Sequence, residues 1–111
     1  MNRDIASLHD ILSAGNLILD FIENKTFSDF EDDAMLNAAV CRQLEIIGEA
    51  TKRLSKEIRE ENANIPWREM AGLRDIISHG YDIIDNREIW SVCKHSIPEL
   101  LSNLDTIIVR E

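Results

Sequence analysis

An all-α fold, an antiparallel bundle of four to five helices, is what the sequence predicts, on three observations. Apolar residues recur at three- and four-residue spacing over long stretches. Strand-like alternation never runs beyond a few residues. The chain has only 4 Gly and 2 Pro as turn-makers, and its 5% aromatic content is low for a β-sandwich. With 111 residues, 44% hydrophobic and 30% charged, it has the size and balance of one globular domain, 1–111, with a real core.

The first helix is expected over roughly residues 3–24, on a stripe of Ile5, Leu8, Leu12, Leu19 and Ile22 widened by Ile11, Ile18 and Phe21. NKTFSDFEDD breaks that period, and Ser28 or Asp29 with the acidic residues after it suits the positive end of a helix dipole. A second helix is therefore expected from near Asp32 to about Glu61, the longest of the set. Its stripe is Met35, Leu36, Ala39, Val40, Leu44, Ile47, Ala50, Thr51, Leu54 and Ile58. The small residues Ala38, Ala39, Gly48 and Ala50 would let a neighbouring helix come close. ENANIP ends in Pro66, whose fixed φ suits the first turn of a short third helix, WREMAGLRDIIS, which Gly80 can terminate cheaply. Asp85 or Asn86 then caps a last helix carrying Ile89, Val92, Cys93, Ile97, Leu100, Leu101, Leu104, Ile107 and Ile108. Pro98 lies inside it and predicts a bend near Ser96.

Charge narrows the function classes. Twelve Lys and Arg against 21 Asp and Glu leave a formal net charge of −9, so most of the surface repels a polyanion. Nonspecific coating of DNA is not expected; a small local phosphate site is still allowed. Cys41 and Cys93 are too few and too far apart for a disulfide framework or a zinc site, and read as core thiols in a reducing cytoplasm. The stretch MNRDIASLHDILSAGN has acidic residues and no uninterrupted apolar run, so neither a signal peptide nor a membrane span is expected.

One segment stands out chemically: Arg74-Asp75-Ile76-Ile77-Ser78-His79-Gly80-Tyr81. On an ideal helix Arg74 and Tyr81 fall within roughly 20° of each other, whereas Arg74 and His79 are about 140° apart. Either the helix stops near His79 and Gly80 lets the imidazole swing round, or a second copy of the chain completes the site. Asp75 and His79 stand four apart, so the carboxylate could orient the imidazole and favour its protonated form. A permanently charged planar guanidinium suits phosphate oxygens, and an imidazole titrates near neutral pH. Together they suit cleavage of a phosphodiester without a metal: a ribose 2′-hydroxyl attacks phosphorus, imidazole relays a proton and guanidinium neutralises the pentacovalent charge. That chemistry requires RNA. From residue types alone, an Arg, a His and a Tyr near a helix end more often form a salt-bridged, hydrogen-bonded structural corner. Glu49 could reach across to anchor Arg74, or could equally be solvated or pair along its own helix. His9 and His95 read as surface histidines, Trp67 and Trp90 as core anchors. The run Lys52-Arg53 through Glu61 reads as a solvated face, with Lys52, Arg53 and Lys56 a modest phosphate-steering edge.

The spacing R-x4-H-x-Y at Arg74, His79 and Tyr81, preceded by Pro66-Trp67 and Met70-Ala71-Gly72-Leu73, resembles the signature of the HEPN superfamily, and within it the HepT-like toxins. Arg42 with Ile46-Ile47-Gly48-Glu49-Ala50, Asp82-Ile83-Ile84-Asp85, Trp90 and Ile97-Pro98-Glu99-Leu100 extend the resemblance over nearly the whole chain. The resemblance implies a helical bundle that forms a homodimer around a shared cleft and acts as a metal-independent endoribonuclease without cofactors. It implies Arg74 and His79 as the catalytic pair, with Asp75, where many relatives have Asn, and Glu49 as possible support. It also implies a toxin–antitoxin module whose minimal nucleotidyltransferase antitoxin transfers AMP from ATP to Tyr81. Added phosphates would fill the positive site and repel RNA. Geometry also favours the dimer, because a 111-residue bundle is too narrow to enclose a polynucleotide groove alone. The rival expectation is a noncatalytic partner that only presents Tyr81 and the cleft to a nucleotidyltransferase or nucleotide.

Overall fold

The structure, a computed structural model, describes residues 3–79 and 85–110; the side chains at 76, 78, 79 and 108–110 lie outside the description. Among the described residues there is no strand. The elements are α1 (Arg3–Ile22), α2 (Phe27–Asp32), α3 (Ala34–Lys52), α4 (Lys56–Glu61), α5 (Trp67–His79), α6 (Asn86–Ser91), a π-helical turn (Val92–Ser96) and α7 (Ile97–Arg110). Helix α3 is central, packed on α1 and on α5, while α7 lies along α1. The result is an all-α bundle of about 40 × 29 × 23 Å.

Helix α1 buries Leu8, Ile11, Ile18 and Ile22, with Leu12, Leu19 and Phe21 at the margin of the stripe. It ends at Ile22, two residues short of expectation, because Asn24 turns into the left-handed region at φ 60° and Lys25 N–H closes on the Ile22 carbonyl at 2.9 Å. By length and composition α1 is apolar enough to cross a membrane. Within the bundle the same apolar residues form part of the core.

The expected helix from Asp32 to Glu61 is corrected in two places. The stretch before it holds an extra short helix, α2, whose capping box pairs Thr26 Oγ1 with Asp29 N–H at 3.1 Å and Asp29 Oδ2 with Thr26 N–H at 2.9 Å. Asp33 then caps α3, its Oδ1 accepting from Met35 and Leu36 N–H at 3.0 and 3.1 Å. The cap leaves Met35, expected in the stripe, 84% exposed. The second break falls at Arg53-Leu54-Ser55. Asp4, on α1, accepts from Ser55 N–H at 2.8 Å and from Ser55 Oγ–H at 2.6 Å, which takes that amide away from the helix ladder. Ser55 Oγ in turn accepts from Ile58 N–H and starts α4. Periodicity survives such a break because Leu54, within it, and Ile58, beyond it, are both buried.

Pro66 does not enter the first turn of α5 but precedes it, its carbonyl accepting the first helical bond from Met70 N–H at 3.1 Å. Trp67, Met70, Leu73 and Ile77 form the buried stripe of α5. Of the two expected caps for the last helix, Asp85 is the one used, accepting from Arg87 and Glu88 N–H. The disturbance expected from Pro98 takes the form of a widened π turn, in which Ile97 N–H reaches five residues back to the Val92 carbonyl just before the residue that has no N–H. Trp67 and Trp90 are both packing anchors. Trp67 Nε1 donates to the Asn62 carbonyl at 3.1 Å, and Trp90 stacks on Phe30 at 5.4 Å. Cys41 and Cys93 are free and buried; burial pushes both thiols up, Cys93 to about 12.

Candidate active site

Helix α5 carries the motif, and its seat on α3 is set by one missing side chain. A Cβ at Gly48 would stand 2.6 Å from the Arg74 backbone nitrogen and 2.8 Å from Arg74 Cβ. Only glycine permits this approach. Leu73 and Ile77 are buried and line one cavity with Leu44 of α3, so Arg74, one residue on from Leu73, emerges at the edge of the helix pair. Of the small α3 residues expected to admit a neighbour, Gly48 is the one under the motif.

The expected anchor is present. Arg74 Nε donates to Glu49 Oε1 at 3.1 Å, with both side chains 39% exposed. At that exposure an ion pair contributes only about 0–1 kcal/mol to stability. Its consequence is orientation: the Nε edge of the guanidinium is fixed on α3. Asp75 is held from the same helix by Lys52, whose Nζ lies 3.0 and 3.2 Å from the two carboxylate oxygens. Arg74 Nη1 stands 3.9 Å from Asp75 Oδ1. Glu49 and Lys52, three apart on α3, thus face Arg74 and Asp75, adjacent on α5, with charges alternating across the crossing.

Lys52 was missed as a member of this group because it reads as part of a charged solvated run. The signal was the i,i+3 pair Glu49 and Lys52 on the face already marked by Gly48. The phosphate-steering edge expected from Lys52, Arg53 and Lys56 is largely answered by carboxylates: Lys52 by Asp75, Arg53 by Asp10 at 3.0 Å and Lys56 by Glu60 at 3.7 Å. His9 and His95 are exposed, as expected.

His79 is the last residue of α5, and its imidazole lies outside the described residues, as do Gly80 and Tyr81. The expected Asp75–His79 contact and the swing at Gly80 fall there too. Among the described residues no group of three or more His, Cys, Asp or Glu side chains could hold a metal ion.

Comparison with known proteins bears on the same segment. The family model described as ribonuclease HepT-like matches residues 11–107. A protein of Methanocaldococcus jannaschii named "Putative RNase MJ1380" is 37% identical over 95% of this chain and 97% of its own length. A second, "Putative RNase TTE0752" of Caldanaerobacter subterraneus, is 39% identical over 94% of this chain and 93% of its own. A third, "Probable ribonuclease HepT" of Thermococcus cleftensis, is 40% identical over 90% and 91%. No solved structure matches. The helical bundle, the glycine-seated motif helix and these matches over nearly the full length agree: the chain belongs to the ribonuclease HepT-like family of the HEPN superfamily.

Proposed function

We propose that this chain is a metal-independent endoribonuclease, the toxin of a toxin–antitoxin module, with Arg74 and His79 as its catalytic pair. The observation that carries the reading is Arg74: a half-exposed guanidinium held at Nε by a carboxylate on the next helix, five residues before the terminal histidine of its own helix. A charged fork held along one edge is prepared to bind phosphate with the other. The 2′-hydroxyl of RNA attacks the adjacent phosphorus, the P–O5′ bond breaks, and a cyclic phosphate and a 5′-hydroxyl are left. The His79 imidazole relays the proton, and Arg74 stabilises the charge that builds on the phosphoryl oxygens. Glu49 supports the arrangement by orienting Arg74, and Asp75 stands beside it.

Two copies of the chain supply the groove, each presenting its motif to a shared cleft in the cytoplasm. The antitoxin is a minimal nucleotidyltransferase that transfers AMP to Tyr81, and the added phosphate blocks the cationic site. Members of the family named as ribonucleases and the net charge of −9, which confines RNA binding to a local cationic spot, support this reading.

The test is incubation of the purified protein with RNA in a chelator. Wild-type protein is expected to cut, and Arg74→Ala and His79→Ala each to cut at least about 100-fold more slowly. Undiminished cleavage by either variant refutes the assignment, and no cleavage by unmodified wild-type protein favours a noncatalytic partner. With the nucleotidyltransferase and ATP, wild-type protein is expected to gain the mass of AMP and Tyr81→Phe is not. Equal gain by both refutes the modification site.

A further inference from the structure

The acid beside Arg74 poses a physical problem. A carboxylate adjacent to a phosphate-binding guanidinium repels the polyanion and competes with it for the terminal nitrogens of the arginine. Asp75 Oδ1 is already 3.9 Å from Arg74 Nη1, a small side-chain rotation from a direct hydrogen bond. Lys52 changes that balance. Its ammonium lies within 3.2 Å of both Asp75 oxygens, which offsets part of the carboxylate's charge and draws it toward α3. Arg74 is left with a firm partner at Nε, Glu49 at 3.1 Å, and a longer contact at Nη1.

We infer that Lys52 is a positioning residue for the RNA site: by occupying Asp75 it keeps the terminal nitrogens of Arg74 open to a phosphodiester. The inference rests on the reading of Arg74 as the phosphate-binding group. Lys52 acts through Asp75, so its loss should matter only while Asp75 carries a charge. A lysine that touched RNA directly would matter whether or not that charge were present.

A double-mutant cycle separates these cases. Full-length wild type, Lys52→Met, Asp75→Asn, the double variant and Lys52→Arg are compared by the kcat and KM of RNA cleavage. Binding to an oligonucleotide of the same sequence with 2′-O-methyl groups, which lacks the attacking hydroxyl, is measured alongside. Lys52→Met is expected to raise KM and the dissociation constant about fivefold with little change in kcat. In the Asp75→Asn background the same substitution is expected to change either by less than about twofold, and Lys52→Arg is expected to keep tight binding. Equal losses in both backgrounds would place Lys52 on the RNA itself and overturn the inference, as would no loss in either. Coupled binding without cleavage would leave the inference standing and remove the nuclease reading. Cleavage without coupling would do the reverse, and absence of RNA binding by wild type would remove both.

Discussion

Replacing Gly48 with alanine should separate the stability of this protein from its activity. A Cβ placed there meets Arg74 N at 2.6 Å, where ordinary contact begins at 3.4 Å, so α5 must retreat by about 0.8 Å. Its neighbours are backbone and Cβ atoms of a packed helix, which cannot rotate away. Overpacking of this kind costs about 1–3 kcal/mol, and alanine in place of glycine inside a helix recovers about 1 kcal/mol. The net loss is then about 0–2 kcal/mol, a fall in thermal midpoint of up to about 10 °C, and the chain should still fold. The site is less forgiving. A retreat of that size carries the 3.1 Å Arg74–Glu49 bond out of hydrogen-bond range and shifts the guanidinium by a distance that can cost about 10²-fold in rate. Urea unfolding and RNA cleavage, measured on the same preparation, check the two halves. Gly72 on α5 is the control: nothing lies within 4 Å of a Cβ there, and Gly72→Ala should stabilise by about 0.5–1 kcal/mol. If Gly48→Ala stabilised the protein as Gly72→Ala does and cut RNA normally, the close crossing could not be what seats Arg74.

Ser55→Ala removes both the cap of α4 and the 2.6 Å hydroxyl bond to Asp4, and should lower stability by about 1–2 kcal/mol in urea titration. The bonds from Thr26 hold Asp29 below the usual carboxylate value of 3.8; its folded pKa is depressed, so its contribution is present above that pH and is lost as the pH falls through the folded value. Stability curves of wild type and Asp29→Ala should therefore differ at neutral pH and converge in acid. Cys93 runs the opposite way. Its folded pKa, raised to about 12 by burial, lies above the unfolded 9.0, so its contribution is complete below pH 9 and is lost as the pH climbs toward 12. At pH 8 a thiol reagent should reach Cys93 only at the rate of unfolding, and rapid labelling of the native protein would contradict its burial.

Periodicity and end signals in the sequence were enough for the helical class, the core stripes of α1, α3 and α7, and a cap at Asp85 or Asn86, since each depends on residues within a turn or two of one another. The motif at Arg74 and the anchor at Glu49 were legible as well, the anchor only as one of two equal choices. Tertiary structure decided the remainder. The break at Ser55 is made by Asp4, 51 residues away, and no local pattern records that an amide has found a better acceptor than its own helix. The choice of Glu49 for Arg74, 25 residues distant, and of Lys52 for Asp75 follows from the register of α5 on α3, which Gly48 sets. Local sequence fixes which face of a helix is apolar. Which charges meet across two such faces is fixed only when the helices are laid together, at a distance decided by the smallest residue between them.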